Sequence, residues 1–130
     1  MQDSDEQRAE INRITEKIIG CVHHVSNTLG SGFLEKVYEN ALAIELRKNG
    51  LNVEQQHPIK VFYEHTLVGD FAADLLVENR VIVELKAARA LDEVHSAQCL
   101  NYLKATGLKV CLLINFGRPR VEVKRIVLEF

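Results

Sequence analysis

Tryptophan is absent from the 130 residues, and all aromatics together make up 6%. Few ring faces are therefore left for stacking on nucleotide bases, and Tyr38, Tyr63 and Tyr102 read as structural residues. Cysteine is scarce: Cys21, Cys99 and Cys111 are odd in number, far apart in the chain and never in a C-x-x-C pair. That excludes a disulfide framework and a thiolate zinc site; in their apolar contexts the three read as buried small hydrophobes, and a reducing cytoplasm is the expected compartment. No apolar run reaches the ~18 residues of a membrane span. The acidic start, Met1-Gln2-Asp3-Ser4-Asp5-Glu6, does not have the form of a signal peptide. A basic excess is missing too: 16 Lys and Arg against 18 Asp and Glu give a net charge of −2. A broad electrostatic grip on nucleic acid is thereby excluded, while a local basic groove is not.

What is present is the balance of a soluble globular protein, 47% apolar and 26% charged. The length suits one hydrophobic core, and with no repeat, low-complexity tract or boundary the expectation is a single domain over 1–130. From about Asp5 to Leu29, Ile11, Ile14, Ile18, Val22, Val25 and Leu29 recur every three or four positions, predicting an amphipathic helix stopped by Gly30. His23 and His24 within it point in different directions and read as surface residues. A second helix is predicted from Phe33 to about Asn49, with Glu35 in its first turn, where the helix dipole favours a carboxylate. Strands follow over Leu51–Glu64 (bent around Pro58), Leu67–Val77 (bent at Gly69) and Val81–Ala87, with turns at His65-Thr66 and Glu78-Asn79-Arg80. Asp92 caps a third helix running to about Ala105; Leu108–Phe116 is a buried strand and Val121–Leu128 a half-exposed one. The fold class is α/β: an antiparallel meander, a helical crossover and a parallel fourth strand, making a mixed β-sheet flanked by helices in the order α-α-β-β-β-α-β-β.

Asp74, Glu84 and Lys86 stand where the two β-rich runs of the 74–86 hairpin call for apolar residues. Alternation puts Glu84 and Lys86 on one strand face with Ile82. Buried charge is costly unless it is paired or holds a metal, so a metal site is the expectation. Hard oxygen ligands suit Mg²⁺, and a lysine two residues beyond the second carboxylate can hold an attacking water or steady charge on a phosphate. E-x-K alone is a weak signal, since Glu122-Val123-Lys124 repeats it in a strand with no acidic partner before it. His95, Gln98 and Tyr102 share one face of the third helix, whose start follows Lys86 after a short loop. They read either as phosphate- or water-binding groups or as the polar edge of an amphipathic helix.

Asp74, Glu84-Leu85-Lys86 and Gln98-x-x-x-Tyr102 together resemble the PD-(D/E)XK nuclease superfamily, in particular its RecB-like branch with a Q-x-x-x-Y motif. Gly32-Phe33-Leu34-Glu35-Lys36-Val37-Tyr38 matches the G-x-x-E-x-x-Y signature of one small family within it. The resemblance covers about Ile18 to Val127 and implies a restriction-endonuclease-like core. It further implies that Asp74, Glu84 and the backbone carbonyl of Leu85 ligate Mg²⁺ or Mn²⁺, with Glu35 completing the acidic cluster. Lys86 would position or activate water, Gln98 would orient substrate or the lysine, and Tyr102 and His95 would support it. Ala73 stands where the superfamily pattern has proline. The expected function is metal-dependent hydrolysis of phosphodiester bonds, in DNA rather than RNA. The alternative is a non-catalytic nucleic-acid-binding or assembly module on the same scaffold, as a subunit of a repair or defence complex. For so small a nuclease a homodimer or a partner protein is the expected assembly.

Overall fold

The computed structural model describes residues 2–130. Helices α1 (Gln2–Leu29) and α2 (Glu35–Lys48) precede strands β1 (Val53–Tyr63), β2 (Thr66–Val77) and β3 (Val81–Lys86); helix α3 (Glu93–Thr106) then leads to β4 (Val110–Asn115) and β5 (Glu122–Val127). The sheet order is β1-β2-β3-β4-β5, antiparallel throughout except for the parallel β3–β4 pair that α3 connects. This is the expected α/β order. No helix of the described residues is long and apolar enough to cross a membrane.

The central strands are buried along almost their whole length because helices cover both faces. Val81, Val83 and Leu85 of β3 and Val110, Leu112 and Ile114 of β4 join the core under α1 and α2. Ile82, Cys111 and Leu113, one residue out of phase, meet Cys99, Tyr102 and Leu103 of α3. All three cysteines are buried free thiols, and Cys99 and Cys111, distant in the chain, are neighbours in this second core.

The β1–β2 pair is longer than the sheet and forms an arm, because only Leu75, Leu76 and Val77 of β2 are laddered to β3. Val53, Leu75 and Val77 belong with α1 and α2, whereas Ile59 and Ala73, an even number of residues along the same strands, belong to the α3 core. Side chains alternate with period two, so the ribbon exchanges faces in between. The exchange falls at Gln56, whose φ is 53, and at Asp74 opposite it. Further out a bulge shifts the register between Val61 and Phe62, across from the expected bend at Gly69. A Cβ on Gly69 would lie 2.8 Å from the Phe71 ring.

Two details differ from the sequence expectations. The hairpin turn is Glu64-His65, with φ of 47 and 66, rather than His65-Thr66. These are the backbone angles of a type I′ turn, reached without the Asn or Gly that normally announces one. Tyr63, expected to be structural, is 68% exposed beside this turn.

Candidate active site

The backbone ladder between β2 and β3 ends at Leu75 and Val83, while β3 stays paired to β4 as far as Lys86 and Asn115. At the next position side chains replace it. The Asp74 N–H donates to Glu84 Oε1 at 3.1 Å, and the Leu85 N–H donates to Asp74 Oδ2 at 2.8 Å. The two carboxylates thus clasp the strands where the sheet opens. Glu84 is 3% exposed, and its carboxyl is pushed up to about 9, first by burial and then by the negative charge of Asp74. Like charge in a desolvated site is what a divalent cation relieves. The donor set, two carboxylates brought together at the strand edge, is the hard-oxygen chemistry of Mg²⁺ and Mn²⁺. The residues present fit such an ion, although among the described residues no three His, Cys, Asp or Glu side chains converge on one point.

Lys86 Nζ donates to Gln98 Oε1 at 3.4 Å, and Gln98 Nε2 donates to the Tyr102 hydroxyl at 3.1 Å. Strand β3 and helix α3 are therefore joined by the residues read as a motif from the sequence. Burial and the charges of Glu84 and Asp74 raise the Tyr102 phenol, which places it within electrostatic reach of the acids. Among the described residues, Lys86 makes no ion pair with either acid, so its ammonium is not neutralised by them.

The other two candidates sit differently. Glu35 is exposed in the first turn of α2 and, among the described residues, makes no side-chain hydrogen bond. Glu39, one helical turn on, is the buried acid (3% exposed). It accepts Lys36 Nζ at 3.0 Å, Gln55 Nε2 at 2.8 Å and Gln56 Nε2 at 2.8 Å. Gln56 Nε2 also reaches Asp74 Oδ1 at 3.3 Å, bridging the helix to the clasp. A left-handed, non-glycine backbone inside a strand is costly and persists only where its surroundings hold it; here the bridge does so. Glu39 was legible in the sequence as a carboxylate on the buried stripe of α2 with Leu42, Ala43 and Leu46. His95 is a capping residue: its Nδ1 accepts the Asp92 N–H at 3.2 Å, while Asp92 Oδ1 accepts the Val94 and His95 N–H groups.

The loop after Lys86 is fixed by Asn115, fully buried at the end of β4. Its Oδ1 accepts the Ala88 and Gly117 N–H groups at 3.0 and 2.9 Å, and its Nδ2 donates to Ala88 O and Glu122 Oε1, both at 2.9 Å. Glu122 of the second E-x-K copy is thus committed to the loop, and Lys124 to the Ser96 hydroxyl at 3.0 Å.

Residues 12–126 match the model of the PD-(D/E)XK nuclease superfamily, and the chain belongs to that superfamily. Among solved structures it is similar to the protein SSO0001 (18% identity, TM-score 0.56, covering 72% of this chain and 50% of that one). It is also similar to an alkaline exonuclease from Laribacter hongkongensis (16% identity, TM-score 0.51, 71% and 55%). These likenesses are of fold, and the chain spans about half the length of each. No curated protein sequence matches significantly.

Proposed function

We propose that this chain is a metal-dependent nuclease hydrolysing phosphodiester bonds, in DNA rather than RNA. The observation that carries this reading is the Asp74–Glu84 clasp at the opened edge of the β2–β3 ladder, with Lys86 on the same strand tied to Gln98. Asp74, Glu84 and the Leu85 carbonyl would hold Mg²⁺ or Mn²⁺. Such an ion supplies Lewis-acid activation of phosphate and water. Lys86 presents an unneutralised ammonium to the water or to charge developing on the phosphate, and Gln98, steadied by Tyr102, sets its direction. Gln56 and Glu39 hold the Asp74 carboxylate. Glu35 lies on the same face of α2 as Glu39, four residues earlier, and serves as an outer acid. His95 supports the site only by capping α3. The Lys86–Gln98–Tyr102 chain supports placement in the RecB-like branch, and Glu35 and Tyr38 support the G-x-x-E-x-x-Y family.

The purified chain should cleave linear, nicked or single-stranded DNA with Mg²⁺ or Mn²⁺, stop in EDTA, and lose cleavage on Asp74→Ala. Cleavage persisting in EDTA or in Asp74→Ala would contradict the reading. One observation favours a non-catalytic module instead: the clasp already closes through backbone N–H groups. Calorimetric titration with Mn²⁺ separates the two, because a module of that kind takes up no ion.

A further inference from the structure

We propose that the groove between the β1–β2 arm and α3 binds a single strand of nucleic acid and leads it to the acid pair, an inference that rests on the nuclease reading of that pair. The groove has a volume of about 870 Å³ and is walled by Lys60, Phe62 and Phe71 of the arm and Gln98, Tyr102 and Lys104 of α3. Its wall borders the candidate site at Gln98, which accepts Lys86 Nζ at 3.4 Å and donates to the Tyr102 hydroxyl at 3.1 Å.

Its chemistry is of two kinds. Phe62 is 61% and Phe71 49% exposed, and the Phe71 ring stands 6.0 Å from that of Tyr102. Large apolar groups gathered in solvent mark a binding surface, and ring faces are what unpaired bases stack on. The charged residues along the walls are lysines only. Among the described residues neither Lys60 nor Lys104 forms an ion pair, even though Asp70 lies across the ladder from Lys60. In a chain of net charge −2 this local excess is specific, and it complements a phosphate backbone. A duplex covers its base faces by its own stacking, so it could use the lysines but not the rings. Along α3, from Val94 to Ala105, the groove is roughly 16 Å long at 1.5 Å per residue. That accommodates four to five steps of a strand stacked at about 3.4 Å.

The test is fluorescence anisotropy in EDTA, with a labelled 20-nucleotide oligothymidylate and a duplex of the same length. The single strand should bind at least tenfold more tightly. Phe71→Ala, Phe62→Ala and Lys104→Glu should each weaken it at least fivefold, while Arg13→Glu, on α1 across the sheet, should not. Phe62→Ala and Lys104→Glu alter exposed side chains and serve if Phe71→Ala unfolds. Equal or tighter duplex binding, or groove variants that bind as the wild type does, would overturn the proposal. So would sedimentation showing self-association that Phe71→Ala abolishes, without strand binding; the groove would then be an interface with a second copy. Because EDTA removes any metal, the outcome is independent of hydrolysis. A chain that binds single strands through the groove but never cleaves would keep this inference and refute the nuclease reading.

Discussion

Glu84 keeps a proton that a carboxyl in water gives up. Its value of about 9 lies far above the ordinary 4.5, with burial the larger cause and Asp74 the second. Between these two values the folded chain binds more proton than the unfolded one, so the contribution of this group to stability falls as pH rises through the window. In thermal melts from pH 5 to 9 without metal, the wild type should lose stability relative to Glu84→Gln as pH rises; parallel melting curves would show that burial does not hold the proton. Gln56 offers a second residue-scale test. Gln56→Gly keeps the left-handed backbone at φ 53 but removes the bridge from Glu39 to Asp74. Mn²⁺ affinity should drop about tenfold, the lower end for residues that orient metal ligands, with the melting temperature unchanged. An unchanged affinity in calorimetry would place Glu39 and Gln56 outside the site. Asp74, Glu84 and Lys86 were legible as charges in apolar strands. Gln56 was not, because its role depends on the β1–β2 register and on a backbone conformation that glutamine rarely adopts. Glu39 was visible on the buried stripe of α2 but was eclipsed by Glu35, which the motif singled out and the fold leaves in solvent.

At the scale of elements, the loop from Lys86 to α3 is held by one amide. Asn115 saturates its hydrogen-bonding groups with Ala88, Gly117 and Glu122, and a Cβ on Gly117 would lie 2.3 Å from the Ala88 carbonyl oxygen. Asn115→Leu leaves buried backbone groups unpaired and should cost about 2–4 kcal/mol in denaturant unfolding, at roughly 1–3 kcal/mol per unsatisfied group; a cost below about 0.5 kcal/mol would show that the loop finds other partners. Helices and strands were readable because burial leaves a pattern: the 3.6-residue recurrence in α1 follows from its one buried stripe, and the apolar runs Val81–Val83 and Val110–Ile114 follow from strands covered on both faces. The Glu64-His65 turn was harder, since neither residue type signals a positive φ. His95 was read as part of a polar helical face, whereas its ring closes the N-terminus of α3.

For the whole molecule, the mixed five-stranded sheet sets two acids at the point where β2 leaves β3, and the crossover helix returns Gln98 and Tyr102 to the same place. The arm beyond that point was invisible in composition: the scarcity of aromatics argued against stacking, yet the fold exposes Phe62, Tyr63 and Phe71 together on one hairpin. The most direct test compares wild type and Lys86→Ala in two readouts, Mn²⁺ binding and DNA cleavage with Mn²⁺. Loss of a positioned proton-transfer or water-holding group lowers cleavage about 10²-fold or more, while the carboxylates keep Mn²⁺ affinity within about threefold, since Lys86 is not among the groups that would hold the ion. Cleavage by Lys86→Ala at the wild-type rate would contradict the assignment of Asp74, Glu84 and Lys86 to one catalytic centre.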